Sequence, residues 1–223
     1  KNVDFMKDKA FASAYEWSAH FEWAGKTSPW THVDLRWRSH ICVWAAAQAL
    51  HLDGDFCECG VDTAIFSGVI AKYLDFARLD RKFFLFDTYE GIPEVEGMSE
   101  HESRKRENLN AKRYFDSFEF VHNKFKDYGN VDIVRGFLPG TLAAIDGRKI
   151  AYLSVDLNNA PSEQAVIERL WPQLVPGALV VIDDYAFKGH QAQYDVWNAF
   201  AARHSLLIAT LPTGQGLLLK PRG

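Results

Sequence analysis

The sequence predicts a doubly wound α/β fold, built on a mostly parallel seven-stranded sheet with an antiparallel last strand. Two observations lead there. From Gly54 onward a short apolar, β-rich run, a turn and a helical pattern recur in the same order, the cadence of a parallel sheet with crossover helices. The last two apolar runs are joined by residues 211–215, a connector of hairpin length holding Pro212 and Gly214, which makes the final strand antiparallel.

Taken in order, the strand candidates are residues 55–59, 83–86, 131–135, 150–155, 178–182, 205–209 and 216–220. Between them, apolar residues recur at three- and four-residue spacing over 65–74, 163–174 and 191–204, which places helices there. The first fifty residues read as helices rich in aromatics, including Trp17, Trp23, Trp30, Trp37 and Trp44, that pack over the sheet or over a neighbouring subunit. Residues 93–115 are charged and strand-free, and suit either a lid or a solvated surface helix. With no internal repeat and no low-complexity linker, residues 1–223 are expected to be one domain, with 1–50 as a helical decoration.

Composition narrows the function classes. The chain has 223 residues, 48% of them hydrophobic and 24% charged, enough for a sizeable core. Its formal charge of -4, with both signs interspersed, gives no reason to expect nucleic acid as a partner. No run of about 18 apolar residues occurs, so no membrane span is expected, and residues 1–10 have no apolar signal core. The missing initiator Met leaves open that the chain begins inside a longer product. Cys42, Cys57 and Cys59 form no even framework; Cys57 and Cys59 share one strand face and read as reduced core residues. A cytoplasmic location follows as the expectation, and a homo-oligomer stays open.

In open parallel sheets ligands bind beyond the carboxyl ends of the strands. After the first strand comes Glu58-Cys59-Gly60-Val61-Asp62-Thr63-Ala64, in which Gly60 would let the backbone pass close to a ligand. Asp62 and Ala64 stand where a dinucleotide fingerprint would have further glycines, so a pyrophosphate ligand is disfavoured. The second strand ends at Asp87, followed by Thr88. An acidic residue there is the usual acceptor for two ribose hydroxyls, although a turn or helix-cap aspartate would look the same.

Asp156 follows the fourth strand and Asp183-Asp184 the fifth, so three carboxylates emerge at neighbouring strand ends. Adjacent aspartates repel unless a cation neutralises them, and Mg²⁺ or another divalent ion is the natural partner of clustered oxygens. The alternative is a helix cap plus an ion pair with Lys188 or Arg203.

The runs GDFCECGV, FLFDTYEGIPE, VRGFLPGTL, YLSVDLNNAP, LVVIDDYAFKGH and LPTGQGLLLKP, in this order from Gly54 to the C-terminus, resemble the macrocin O-methyltransferase family. The resemblance implies a class I, Rossmann-like methyltransferase that uses S-adenosylmethionine and a divalent metal on hydroxyls of natural-product sugars. The metal arrangement is also similar to that of catechol O-methyltransferase. Position by position, it implies that Glu58, Gly60 and Val61, with Ser67 in the following helix, line the methionine part of the cofactor. Asp87 and Thr88 would meet the ribose, Gly136 and Phe137 would border the adenine, and Asp156, Asp183 and Asp184 would bind the metal. Ala64 departs from the glycine common in the family, and Asn159 stands where the catechol enzymes carry a lysine. Another group must then take the proton, or the metal must lower the acceptor pKa enough for water to do so; His190 is the titratable residue nearby with a suitable ordinary pKa. A cap on the helix near Gln191, or a subunit contact, is its alternative role.

The expected reaction is an in-line displacement by a hydroxyl held through Asp156 and the metal, the acceptor being a small-molecule diol, sugar-like or catechol-like. A nicotinamide-dependent oxidoreductase shares the acidic residue after the second strand, and a cofactor-binding protein without turnover shares the fold. The poor glycine fingerprint speaks against the first and the complete triad against the second.

Overall fold

The structure is a computed structural model that describes residues 3–222. Along the chain run α1 (Lys9–Ala19), β1 (Glu22–Trp23), β2 (Lys26–Thr27), α2 (Arg36–Ala49), β3 (Asp55–Cys59), α3 (Ile65–Tyr73) and β4 (Phe83–Asp87). Then come α4 (Glu100–Lys112), α5 (Phe118–Lys124), β5 (Val131–Arg135), β6 (Ile150–Val155), α6 (Ala160–Leu170), β7 (Leu174–Ile182), α7 (Gln191–Arg203), β8 (Ala209–Thr210) and β9 (Gly216–Leu219). Among the described residues, no helix is long and apolar enough to cross a membrane.

The main sheet has seven strands in the order β5-β4-β3-β6-β7-β9-β8. The first five pair in parallel, and β9 runs antiparallel to both β7 and β8. Alternation along the strands feeds two apolar layers. Phe56, Phe83, Leu85, Leu179 and Val181 face one layer, packed by α1, α2, α3 and α5. Cys57, Cys59, Phe84, Phe86, Leu153, Val155, Val180 and Ile182 face the other, under α6 and α7. The three cysteines are free and buried, as their strand and helix positions led us to expect. The order in which strands are added reverses at β3, with β4 and β5 laid down to one side and β6 and β7 to the other. The crevice for a ligand therefore opens at the carboxyl ends of β3 and β6.

Where the boundaries differ from the sequence expectation, local chemistry explains it. The sixth strand candidate, 205–209, shrinks to β8 because Ser205, at φ +55°, and Leu206 close the end of α7, Leu206 N–H donating to Ala201 O at 2.8 Å. The helix expected over 163–174 instead begins at Ala160, capped by Asn159 Oδ1 accepting from Ser162 N–H at 2.9 Å, and gives way to a 3₁₀ turn and to β7 at Leu174. Within the first fifty residues, α1 packs on α3 and α2 on β6 and β7, while β1 and β2 form a small hairpin through Ala24 and Gly25, both at positive φ. The charged stretch carries α4, opened by a capping box between Ser99 and Glu102.

Candidate active site

A cavity of about 560 Å³ opens at the crevice. Glu58, Gly60, Val61, Asp87, Thr88 and Gly136 line it together with Asp156, Asp183, Asp184 and His190. The structure thus brings the strand-end residues singled out from sequence into one space. Two do not reach it: Ser67 is fully buried behind the loop with its Oγ unpartnered, and Phe137 is largely exposed, leaving Leu138 at the wall.

Gly60 is at φ +88°, and a Cβ there would stand 1.8 Å from the Asp156 carbonyl oxygen. Its close approach is to the backbone after β6, which ties the two halves of the crevice together. Asp62 and Ala64 both adopt left-handed conformations, at φ +49° and +57°, so Ala64 takes the shape that glycine would adopt more cheaply. On the cavity side, Asp87 Oδ2 accepts the Val61 and Asp62 N–H groups at 2.6 and 2.8 Å, and its Oδ1 accepts that of Tyr89 at 2.7 Å. Asp87 therefore holds the loop and its own turn as well as facing the cavity. Glu58 is buried with Oε2 unpartnered, and burial pushes its pKa up to about 8.

In the same cavity, Asp156, Asp183 and Asp184 offer oxygens that all lie within 4.8 Å of one another. Burial and the two neighbouring carboxylates push Asp156 well above the carboxylate range; burial lifts Asp183 to about 6, with Arg38 opposing. The neutralising side chain is Arg38 of α2, whose guanidinium forks across Asp183 and Asp184, at 3.1 Å from the latter. Lys188 and Arg203 play no such part, and Arg203 pairs with Glu168 instead. Gln215 Nε2 donates to Asp183 Oδ1 at 3.0 Å, and Asn158 Nδ2 to Asp156 Oδ1 at 2.9 Å.

His190 Nε2 lies 3.3 Å from Asp184 Oδ2. Its Nδ1 is 2.7 Å from Gln193 Oε1, and Gln193 Nε2 donates to the buried Glu163 at 2.7 Å. Because that amide nitrogen is spent on Glu163, its oxygen faces the imidazole, which puts the proton on Nδ1 and leaves Nε2 bare. Burial lowers the His190 pKa. Lys105, reaching down from α4, donates to Asn158 Oδ1 at 2.8 Å and stands 2.6 Å from His190 Nε2. An amine thus enters the site from the charged insertion. Asn159 in turn caps α6. Sequence reading missed Arg38, Lys105, Gln193 and Glu163; the first two lie far along the chain from the strand ends they serve, and helical spacing alone does not aim a side chain at a site.

Comparison with known proteins gives consistent results. The family model described as Macrocin-O-methyltransferase (TylF) matches residues 40–209. The 8-demethyl-8-(2,3-dimethoxy-alpha-L-rhamnosyl)-tetracenomycin-C 4'-O-methyltransferase of Streptomyces olivaceus is 33% identical over 143 residues, 60% of this chain and 53% of that protein. Mycinamicin III 3''-O-methyltransferase of Micromonospora griseorubida is 27% identical over 145 residues, 59% of this chain and 55% of that protein. The chain spans about half the length of these curated relatives. Among solved structures, the O-methyltransferase NovP superposes with a TM-score of 0.74 at 19% identity, covering 98% of each chain. TomG from Streptomyces achromogenes, solved with SAM, gives 0.59 at 17% identity over 98% of this chain and 95% of that one. At these identities the two structures speak to the fold.

Proposed function

Since this chain belongs to the macrocin O-methyltransferase family, we propose that it moves the methyl group of S-adenosylmethionine to a hydroxyl of a small natural product. The acceptor is a sugar or vicinal diol, and a divalent cation on Asp156, Asp183 and Asp184 assists. The observation that supports this reading is that one cavity is lined both by the Gly60 and Asp87 loops and by the acidic triad. Both curated relatives are named for O-methylation, at a 4' and a 3'' position.

The donor set fits Mg²⁺ or a similar ion: three carboxylates with oxygens within 4.8 Å, all hard ligands, carrying more negative charge than the one Arg38 fork offsets. Such an ion, when bound, would lower the pKa of an acceptor hydroxyl and fix its direction. The chain's own groups do the rest. Glu58, Gly60 and Val61 hold the methionine end, Asp87 and Thr88 meet the ribose, and the wall at Gly136 and Leu138 borders the adenine. His190 Nε2, kept bare by Gln193, takes the hydroxyl proton as the O–CH₃ bond forms and the C–S bond breaks to leave S-adenosylhomocysteine. Lys105 must leave Nε2 for that to happen.

One observation favours a second reading. Arg38 already bridges Asp183 and Asp184, so a metal-free transfer with the guanidinium as the fixed cation is its chemical counterpart. Calorimetry and a chelator separate these readings. S-adenosylmethionine should bind with or without EDTA and NAD should not bind, whereas transfer to a panel of deoxysugar and catechol acceptors should stop in EDTA and return with Mg²⁺. Full transfer in chelator would leave the Arg38 reading standing, and binding of NAD in place of the sulfonium cofactor would overturn both.

A further inference from the structure

Lys124, the last residue of α5, lies beneath the loop after β3, away from the cavity, and is 3% exposed. Its ammonium donates to three backbone carbonyls, those of Ser18 at 3.0 Å, Thr63 at 2.6 Å and Ala64 at 3.2 Å, so all three of its donors are used. Beside it, the Ser18 hydroxyl of α1 lies 3.1 and 2.8 Å from the Ala64 and Ile65 carbonyl oxygens. The space for this pair comes from Gly68 on α3, where a Cβ would stand 2.2 Å from Ser18 Oγ. Phe21 and Phe120 place ring centroids 5.4 Å from the ammonium. Glu58 and Asp62 are the carboxylates whose fields reach it, and they oppose the fall in its pKa, to about 7, that burial causes.

One reason for a buried amine here is that it supplies donors to the Ser18, Thr63 and Ala64 carbonyls, which offsets the desolvation of the ammonium. The geometry supplies another reason. The loop holds two non-glycine residues at positive φ, Asp62 and Ala64, each strained by about 1 kcal/mol or more. Its N–H groups at Val61 and Asp62 are taken by Asp87 on one side, and its carbonyls at Thr63 and Ala64 by Lys124 on the other. Carboxylate and ammonium thus hold successive peptides of one loop from opposite sides, and the strained conformation is what remains.

We propose that Lys124 is a positioning residue for the cofactor, which with Ser18 fixes the left-handed loop at residues 60–64 in the shape that receives the sulfonium cofactor without touching the cofactor itself. This rests on the cofactor reading given above. Lys124→Met keeps the length and removes the three donors. The full chain carrying it loses those donors but also a desolvated charge, two effects that oppose each other, so its melting midpoint should stay within about 5 °C of wild type. Its dissociation constant for S-adenosylhomocysteine should nevertheless rise about tenfold, the scale of one or two lost hydrogen bonds. In turnover, KM for S-adenosylmethionine should rise while kcat at saturating cofactor and KM for the acceptor stay near wild type. Ser18→Ala, which changes no charge, should shift cofactor affinity the same way by less and serves as the decisive variant if Lys124→Met does not fold. Wild-type protein that binds S-adenosylhomocysteine, together with variants that bind it within about twofold of wild type, overturns the clamp alone. Wild-type protein that binds none overturns the cofactor reading, and the clamp falls with it.

Discussion

A single missing side chain at Gly60 lets the chain leave β3 and pass over the backbone after β6. The φ of +88° and the 1.8 Å approach of a built Cβ to the Asp156 carbonyl oxygen are independent obstacles to any other residue. Gly60→Ala should therefore cost more than about 2 kcal/mol of stability and shift the two strand ends apart, since no flexible side chain is there to yield. Urea unfolding of the variant checks this, and a loss below about 0.5 kcal/mol, the range of ordinary surface changes, would mean that the crevice is looser than drawn. Residues of this kind were legible before the structure because each stands directly after an apolar run: Gly60, Asp87, Asp156, Asp183 and Asp184 all line the cavity. Arg38 was not. It sits 145 positions from the Asp183 it neutralises, on a helix whose pattern says only that it is a helix. Pairing across that separation is a property of packing, which no local spacing encodes.

At the scale of elements, α4 differs from its neighbours in how it is held. Its one buried residue is Glu102, so no apolar anchor fixes it. It is tied down by polar contacts to the loops after β6 and β7: Glu102 Oε1 accepts from Ala160 N–H at 2.7 Å, His101 Nε2 lies 3.0 Å from Gly189 O, and Lys105 meets Asn158 and His190. Elements with few buried apolar contacts open at low free energy. Amides of α4 should accordingly exchange with deuterium far sooner than those of β3, β4 and β6, and adding acceptor with S-adenosylhomocysteine should slow α4 selectively. Protection in α4 equal to that of the central strands would remove the case for a lid and leave a fixed wall. The charge of this stretch was plain in the sequence, but its direction was not, because a polar helix has no stripe to say which side faces inward. Shortness hid α5, seven residues long, and the hairpin of β1 and β2, whose strands hold two residues each. The parallel core strands, by contrast, announced themselves as short β-rich runs between turn residues, and β3, β5 and β6 begin and end where those candidates do.

Across the whole molecule, the doubly wound sheet gathers its acids at one end and buries them. Glu58, Asp62 and Glu163 belong to three different parts of the chain, yet burial is the leading cause that lifts each pKa, to about 8, about 7 and about 7. Raised carboxyl pKa values set the sign of the pH dependence. Between the ordinary values near 4 and the raised ones, the folded chain keeps protons that the unfolded chain has released, so stability falls as pH rises through that window. Two effects oppose this. His40 and His190 are lowered by burial and add stability as pH approaches their ordinary value of 6.5. Lys124, lowered to about 7, adds stability only above that pH. Three carboxyls shifted over a wide window outnumber the two histidines, so the thermal midpoint should fall from about pH 5 to about pH 7. Glu58→Gln, which keeps the side-chain volume and has no proton to release, should make the fall less steep. A midpoint that climbs between pH 5 and 7, as it would if these acids were ionised and paired in the folded chain, would show that the crevice is wetter or better neutralised than its burial implies. Its acids would then be charged groups ready for a cation at neutral pH, without needing one to draw off their protons.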